Sequence, residues 1–540
     1  MCAGAAGLAR ERPAVHDSSL ILVLLTAIVI VAVVAKRLAL PYPIAFVIGG
    51  SLLAFVPHLP SFQLDPGIVF FIFLPPLLYS GGWQTDWQTF RANLRPIGLL
   101  AIGLVIFTTG VIGVLVHALV PQLGWSGSFV LGAIVSPPDA VAASAVFERF
   151  SVPRRLEAIL DGEGLVNDAT ALVVYRFAVA AVLTGTFSLG SASLAFVGVS
   201  LGGIAVGLIV GCGLVRLTLF LRTLNLSDSL IDSAIQLIAP YAVYAGGEAL
   251  HVSGVLATVT AAIYVSRRSN EIYEPEGRLV ANAVWELLIF LLNGVVFLLI
   301  GLQIRTIVHG PSFLTRELWI GIVVSLVVIV VRLVWAYPAT YLPRFVFAGI
   351  NRREGVPGWN YVFILGWSGM RGIVSLASAL ALPLTVRGGQ PFPGRSIILF
   401  ITFCVIFITL VGQGLSLIPL LKWLHIEGDS LEKRELEVRV AALRAGITRL
   451  QQLEPTFDST EAWEVQGRIV GEYQYRIAHL LGHIDGSISA SEVAVDHKLQ
   501  QEALGAERTE VAHLRDAGEI PDEIFRKIQY DLDLASERLT

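Results

Sequence analysis

A short segment in the first half of the chain, Glu163-Gly-Leu-Val-Asn-Asp168, carries groups that can bind a proton or a cation. Asp168 lies within an apolar stretch, Leu165 to Leu183, that is typical of a membrane span. A charge at that depth is costly and is rarely kept without a role. Hard cations such as Na⁺ take oxygen ligands. Because a carboxylate binds either a proton or a cation, the two compete for one group, which is the minimal chemistry of antiport.

Helical spacing separates the polar groups of this segment into two sets. Glu163 and Asn167 are four residues apart and share one face of a helix, whereas Asp161, Gly164 and Asp168 share another. The two carboxylates of the segment therefore point in different directions. We expect a buried arginine, Arg371, to neutralise one of them while the other faces a water-filled cavity.

A proline pair predicts an interrupted helix at Ser136-Pro-Pro-Asp139. Pro137 and Pro138 remove two backbone donors in mid-membrane, so nearby carbonyls need other partners. Such a break leaves carbonyl oxygens available to a cation, and Asp139 follows immediately. The alternative interpretation is a packing kink with Asp139 as its cap.

A second interrupted helix is predicted at Gly366-Trp-Ser-Gly-Met-Arg-Gly372. Its glycines allow another helix to approach closely. Arg371 stays charged, so when buried it must pair with a carboxylate or with carbonyls. The two breaks lie in spans that run in opposite directions, as an inverted repeat produces. Other charges within spans, Asp232, Arg176 and Arg332, are expected to form structural pairs or to snorkel.

The composition indicates a polytopic all-α membrane protein. Hydrophobic residues make up 55% of the chain, charged residues 15%, and the mean hydropathy is +0.71. Apolar runs long enough to cross a bilayer predict about thirteen transmembrane helices. The predicted spans are 19–36, 41–57, 67–81, 96–120, 126–148, 157–184, 190–221, 229–247, 252–266, 280–304, 314–341, 358–386 and 395–423.

Basic residues in the loops predict the orientation. Those that follow odd-numbered spans are Lys36, Arg37, Arg91, Arg95, Arg149, Arg154, Arg155, Arg222, Arg267, Arg268, Arg278, Arg344, Arg352 and Arg353. Those that follow even-numbered spans are only Arg305, Arg316, Arg387 and Arg395. The positive-inside rule then places the N-terminus outside and the C-terminus in the cytoplasm of a multi-pass inner-membrane protein. Lys36-Arg37 follows the first span without a cleavage site, which indicates a retained anchor.

The character of the chain changes near His425. By sequence, residues 1–424 carry a net charge of +6 and residues 425–540 a net charge of −10. We therefore expect a transmembrane domain over 1–424 and a soluble, acidic, helical C-terminal domain over 425–540. Leu436, Val440, Leu443, Ile447 and Leu450 form the apolar seam of an amphipathic helix. The three cysteines are far apart, so no disulfide or metal framework is predicted.

Four motifs in order resemble those of the cation:proton antiporter 1 family, the bacterial Na⁺/H⁺ exchanger type. They are Phe73-Leu-Pro-Pro-Leu-Leu-Tyr79, Ser136-Pro-Pro-Asp-Ala-Val-Ala142, Glu163-Gly-Leu-Val-Asn-Asp168 and Gly369-Met-Arg-Gly372. The resemblance covers nearly the whole membrane part.

The resemblance implies a role for each matching residue. Asp168 corresponds to the proton and monovalent-cation carrier, and Asn167 to the residue associated with electroneutral exchange. Asp139 and the carbonyl of Pro138 belong to the first break. Glu163 and Arg371 correspond to a buried ion pair.

Two positions depart from the family pattern. Ser80 stands where many members carry an acidic residue, and Gly164 stands where many carry serine. Both positions can supply oxygen ligands in relatives. The coordination of the cation is therefore expected to be poorer or completed by water, and K⁺ or Li⁺ competes with Na⁺ as the transported ion.

The sequence favours a secondary antiporter over two other classes. An intramembrane hydrolase built on Asp139, Asp161 and Asp168 lacks any recognisable protease signature, and a cation channel with the same site needs a continuous path. No nucleotide-binding loop appears. We expect no cofactor, no nucleotide and no nucleic acid as partners. Membrane lipid and, from the resemblance, a second copy of the chain are the expected partners.

Overall fold

A computed structural model describes the chain from residue 15 to residue 537, with gaps. The gaps are residues 58–66, 68, 148–149, 151, 187, 227, 305–315, 348–354, 387–388, 427–430, 454–459, 486–489 and 518–520. Five of the loop arginines that predict the orientation lie outside the described residues, namely Arg149, Arg305, Arg352, Arg353 and Arg387. The chain divides into two compact units, Met1–Gly428 and Asp429–Thr540.

The first unit is helical, and its described residues contain no strand beyond one isolated bridge between Thr385 and Pro391. Its helices are α1 Val15–Arg37, α2 Tyr42–Leu53, α3 Leu74–Gln84, α4 Trp87–Ala92, α5 Leu94–Gly98, α6 Val105–Leu119, α7 Gly124–Val135, α8 Ala140–Phe147, α9 Arg154–Thr184, α10 Leu189–Thr223, α11 Ser229–Ala249, α12 Gly254–Ser266, α13 Ser269–Ile272, α14 Pro275–Leu302, α15 Arg316–Val346, α16 Trp359–Trp367, α17 Ile373–Leu380, α18 Arg395–Phe407 and α19 Gly414–Trp423. Segments of π-helix precede α3 and α6 and join α18 to α19; they are Val69–Phe73, Leu99–Leu104 and Ile408–Gln413.

The prediction of a polytopic membrane protein is confirmed. Within the described residues, seven helical segments are long and apolar enough to cross a membrane. They are Leu94–Leu119, Pro121–Phe147, Arg154–Thr184, Gly190–Thr223, Gly277–Leu302, Arg316–Val346 and Arg395–Trp423. Tyr42–Leu53 and Gly254–Ser266 are shorter apolar helices. The count of thirteen spans stays a prediction.

Local sequence explains where several helices begin and end. The side chain of Asp228 accepts hydrogen bonds from the backbone of Leu230 and Ile231 and so caps α11. Ser253 caps α12 in the same way, through the backbone N–H of Leu256. Gly185 adopts a left-handed conformation with φ of 72° directly after α9, a position that favours glycine.

Glycines allow two pairs of helices to approach until backbone touches backbone. Gly50 of α2 and Gly301 of α14 each leave no room for a Cβ atom because the other helix's backbone fills the space. Gly203 and Gly207 of α10 meet the backbone of α12 in the same manner. Close packing of small residues is how membrane helices associate without a hydrophobic driving force.

Both predicted interruptions are present in the structure. Residues 136–139 separate α7 from α8, and residues 368–372 separate α16 from α17. The largest apolar core packs around the two breaks, and its members from α2, α8, α9, α14 and α16 include Phe46, Phe147, Leu160, Ile300 and Ile364.

The second unit consists of four described helices. They are α20 Leu431–Leu453, α21 Thr460–Asp485, α22 Ala490–Asp516 and α23 Asp522–Glu537. All five seam residues named above are buried or half-buried on α20. Gln466 of α21 donates to the carbonyl of Leu450 at 2.8 Å, so α20 packs against α21. Arg508 and Asp533 form an ion pair between α22 and α23.

Candidate ion-binding site

The two interrupted helices meet at their breaks. The backbone N–H of Asp139 donates to the carbonyl of Met370 at 2.7 Å. A Cβ atom at residue 372 would collide with the Asp139 carboxylate, so this close crossing requires Gly372. The breaks therefore bring the ends of four short helices, with their unpaired backbone N–H and C=O groups, into one place.

The carboxylate of Asp139 caps helix α8. Its Oδ1 accepts a hydrogen bond from the backbone N–H of Val141 at 2.9 Å. The N–H groups of Ala142 and of Ile373, the first residue of α17, also face this carboxylate. A negative charge at helix N-termini is stabilised by the unpaired N–H groups there. The capping role that the sequence left open is thus seen in the structure.

Helix α9 carries the central residues of the candidate site past the first break. The Nδ2 atom of Asn167 donates to the carbonyl of Pro138 at 2.8 Å, while its Oδ1 is buried without a hydrogen-bond partner. No described residue forms a hydrogen bond or ion pair with the carboxylate of Asp168, although Asp139 is near enough to repel it. An unengaged carboxylate can take up a proton or a cation.

The partner of Glu163 differs from the prediction. Arg332 of α15 binds Glu163 through two parallel contacts, Nη1 to Oε1 at 2.5 Å and Nη2 to Oε2 at 2.8 Å. Both side chains are only 1% exposed. The predicted pair with Arg371 is wrong because α15 passes beside α9 at this depth. The side chain of Arg332 occupies the space that Gly369 leaves open.

Arg371 binds carbonyl groups instead of a carboxylate. Its Nε donates to the carbonyl of Val135, the last residue of α7, at 3.0 Å, and its Nη1 donates to the carbonyl of Gly369. Carbonyls at the C-terminal ends of helices carry partial negative charge. Arg371 therefore offsets the partial negative charge at the C-terminal ends of α7 and α16. Asp139 offsets the partial positive charge at the N-terminal ends of α8 and α17. A buried arginine can pair with a carboxylate or with carbonyls, and Arg371 pairs with carbonyls.

Two polar residues near the second break were missed by the sequence analysis. The hydroxyl of Thr409 accepts from the backbone N–H of Arg371 at 3.1 Å, and Gln413 donates to the carbonyl of Trp367 at 3.0 Å. Both belong to the π-helical segment Ile408–Gln413. Segments of this kind are frequent at functional sites, but no residue pattern in this one marks it.

The two departures from the family motifs have different structural settings. Gly164 faces the start of α8, and a Cβ atom there would lie 2.5 Å from the Cβ of Ala140. A serine at residue 164 therefore does not fit this arrangement. Ser80 is buried and accepts a hydrogen bond from Gln84 at 3.2 Å.

A partly accessible face of α9 leads to Asp168 from the end that begins at Arg154. Its residues, Glu157, Asp161, Gly164 and Asp168, are half-buried, whereas Glu163 and Asn167 on the other face are buried. Ser144 of α8 lies along the same route and donates to Asp161 at 2.8 Å. The division of faces follows the predicted helical spacing.

On another flank, α9 packs against α12 through apolar side chains. Leu165 and Ala169 contact a cluster that includes Val255, Val259 and Val374. No group of three or more metal-ligating side chains was found among the residues that the structure describes. The arrangement provides one unengaged carboxylate, a carbonyl that is hydrogen-bonded to the neighbouring Asn167, and a partly accessible polar face from one end of the helix.

Comparisons with known proteins agree with this arrangement. The family model described as "Sodium/hydrogen exchanger, transmembrane" matches residues 21–423. An uncharacterised Na⁺/H⁺ exchanger of Mycobacterium tuberculosis is 33% identical over 531 residues, which cover 96% of this chain and 95% of that protein. A sodium, potassium, lithium and rubidium/H⁺ antiporter of Bacillus subtilis is 31% identical over 524 residues, covering 94% of this chain and 76% of that protein.

The fold also has a solved counterpart. The structure of the sodium proton antiporter MjNhaP1 from Methanocaldococcus jannaschii aligns with a TM-score of 0.53 at 17% identity. The alignment covers 75% of this chain and 99% of that one.

Proposed function

Because the chain belongs to the family of transmembrane sodium/hydrogen exchangers, we propose that it exchanges Na⁺ for H⁺ at Asp168 by alternating access. Members of this family are cation/proton antiporters of the membrane and are not enzymes. The observation that carries the proposal is the carboxylate of Asp168, unengaged among the described residues and placed beside the crossing of two interrupted helices.

Each residue around Asp168 has a part in the proposed exchange. The Asp168 carboxylate binds either a proton or the cation, and the carbonyl of Pro138 offers a further oxygen. Asn167 holds that carbonyl in place through its 2.8 Å hydrogen bond. Water supplies the remaining ligands, since Gly164 carries no side-chain oxygen and Ser80 is bonded to Gln84.

Alternating access requires that the ion-carrying helices move relative to a fixed part. The contact between α9 and α12 suits such a movement because it consists of apolar side chains. The ion pair that joins α9 to α11, Arg176–Glu248, is solvent-exposed and can exchange its contact for water. The bidentate Glu163–Arg332 pair and the Arg371–Val135 contact bind α7, α9 and α15 to the second break. We propose that these elements move as one body, and that the half-buried face of α9 is the cytoplasmic route to Asp168.

We further propose that the exchange is electroneutral. Glu163 is tied to Arg332, Asn167 does not titrate, and Asp139 is held as a helix cap. Asp168 remains as the one exchangeable carboxylate in this count. One proton then replaces one monovalent cation in each cycle.

The identity of the cation is the least constrained part of the proposal. The relative from Bacillus subtilis is named for exchange of sodium, potassium, lithium and rubidium. A site completed by water discriminates weakly between ions, so we propose Na⁺ as substrate with K⁺ and Li⁺ as competitors. The proposed setting is a homodimer in the inner membrane, with the N-terminus outside and the C-terminal unit in the cytoplasm.

Transport by purified protein in liposomes tests the proposal. An imposed proton gradient should drive uptake of Na⁺ against its own gradient, and Asp168→Asn should abolish this uptake while the protein remains in the membrane. Asn225→Asp, the reverse exchange between amide and carboxylate at a turn outside the site, serves as the control and should transport normally. Cation flux that needs no opposing proton gradient indicates a channel, and full activity of Asp168→Asn refutes the site.

A further inference from the structure

An open pocket of about 520 Å³ lies between helix α4 and the residues that follow α12. It is lined by Trp87, Gln88, Arg91 and Ala92 on α4 and by Arg267 beyond the end of α12. The guanidinium of Arg267 lies 5.5 Å from the centre of the Trp87 ring. The pocket thus combines two cationic side chains, one aromatic ring and one amide.

The charges of this pocket are not satisfied within the described part of the chain. Neither guanidinium, that of Arg91 or that of Arg267, forms an ion pair or a hydrogen bond with a described residue, and both side chains are exposed. The acidic residue nearest in sequence, Asp86, accepts hydrogen bonds from Gln88 and Thr89 and caps α4. The site therefore carries a net positive charge.

Neighbouring arginines at the same end of the protein have partners. Arg222 forms an ion pair with Glu274 at 2.8 Å, and the guanidinium of Arg268 lies 4.3 Å from the centre of the Tyr264 ring. The contrast distinguishes the two pocket arginines from a generally basic surface. It also supplies matched control residues.

The pocket lies where membrane helices end. Helix α4 connects α3 to the span that begins at Leu94, and α12 is an apolar helix that ends at Ser266. Tryptophan is enriched at the membrane–water boundary, and arginines next to the cytoplasmic leaflet attract anionic lipids. The planar guanidinium matches the oxygens of a phosphate group in a way that few other side chains do.

We propose that this pocket binds the phosphate headgroup of an anionic phospholipid through Arg91 and Arg267. Gln88 donates a further hydrogen bond to the headgroup, and the Trp87 ring contacts the glycerol backbone. The bound lipid links α4 to α12. Helix α4 and α5 in turn pack on α9, where Phe90 and Ile97 leave no room for a side chain at Gly162.

Binding of short-chain lipids to the purified full-length protein tests this site. We expect dioctanoyl phosphatidylglycerol, and not dioctanoyl phosphatidylcholine, to bind and to raise the melting temperature, since a ligand that binds only the folded state stabilises it. The double variant Arg91→Gln/Arg267→Gln should bind phosphatidylglycerol about tenfold more weakly, because two charge-assisted hydrogen-bonding groups are lost.

The control variant is Arg222→Gln/Arg268→Gln, which loses the same charge at the same end of the protein. Unchanged binding by this control supports the pocket. An equal loss in both double variants, equal binding of the two lipids, or binding of inorganic phosphate in place of lipid would each overturn the proposal. Asp168→Asn should bind lipid normally, so a failure of the transport proposal is distinguishable from a failure of this one.

Discussion

At the scale of single residues, the two buried arginines next to the site have different tasks. Arg332 satisfies one carboxylate in a bidentate contact, while Arg371 satisfies carbonyl groups at helix ends. A buried ion pair is not in itself a large source of stability, because desolvation offsets the attraction. Removing one partner is costly, however, since the other charge is left uncompensated.

Glu163→Gln should therefore destabilise the protein strongly. We expect the free energy of unfolding to fall by about 3–5 kcal/mol, as for other broken buried pairs. Thermal unfolding in detergent, followed by the loss of monodisperse protein, measures the change.

The exposed pair Arg176–Glu248 is the matched comparison. Its side chains are 52% and 34% exposed, so Arg176→Gln should cost about 1 kcal/mol or less. Equal melting temperatures for the two variants would show that the Glu163–Arg332 pair does not hold α9 to α15.

The sequence predicted the residues of the site better than their contacts. Asp139, Asn167 and Asp168 stand out because carboxylates and prolines are rare within apolar spans. Arg332 also stands out as a charge, but its partner depends on how α15 passes α9, and spacing along one helix carries no such information. The pairing of Glu163 with Arg371, which the resemblance to the family implied, was wrong for that reason.

At the scale of helices, the approach of α8 to α9 depends on the two small residues Gly164 and Ala140. The ideal Cβ at residue 164 lies 2.5 Å from the Cβ of Ala140, a distance at which something must shift. The glycine that lets α8 approach α9 this closely is therefore also the reason why residue 164 offers no side-chain hydroxyl to a cation.

Gly164→Ser should reduce the rate of exchange because it pushes the start of α8 away from α9. The double variant Gly164→Ser/Ala140→Gly restores space, since the next atom of residue 140 is 3.7 Å from the added Cβ. We expect the double variant to recover most of the activity in proteoliposomes. Overpacking of this kind typically costs about 1–3 kcal/mol, and unimpaired transport by the single variant would contradict the steric argument.

Helix positions followed largely from the apolar runs, and both interruptions followed from Pro-Pro and from clustered glycines. The π-helical segment Ile408–Gln413 did not. Thr409 and Gln413 of this segment contact the second break, and the predominantly apolar sequence on either side fits a regular helix equally well.

At the scale of the whole molecule, the stoichiometry has a direct electrical test. The membrane potential would drive the movement of one net charge with about 2.3 kcal/mol per 100 mV. It does no work on a one-for-one exchange, which moves no net charge. Proteoliposomes with a K⁺/valinomycin potential should take up Na⁺ at the same rate as liposomes without it, at equal pH gradient. Acceleration by an inside-negative potential would indicate a second titrating carboxylate, with Asp139 as the first to examine.

Access to the half-buried route along α8 and α9 can also be measured by chemical labelling of introduced cysteines. The chain has three cysteines, Cys2, Cys212 and Cys404, which can be replaced by alanine. In that background, Ser144→Cys should react with a membrane-impermeant thiol reagent added on the cytoplasmic side and not on the other. Ala143→Cys, whose position on the same helix is fully buried, should stay unmodified. Reaction rates that change when Na⁺ or pH is varied would then report, one residue at a time, how long the protein spends open to each side.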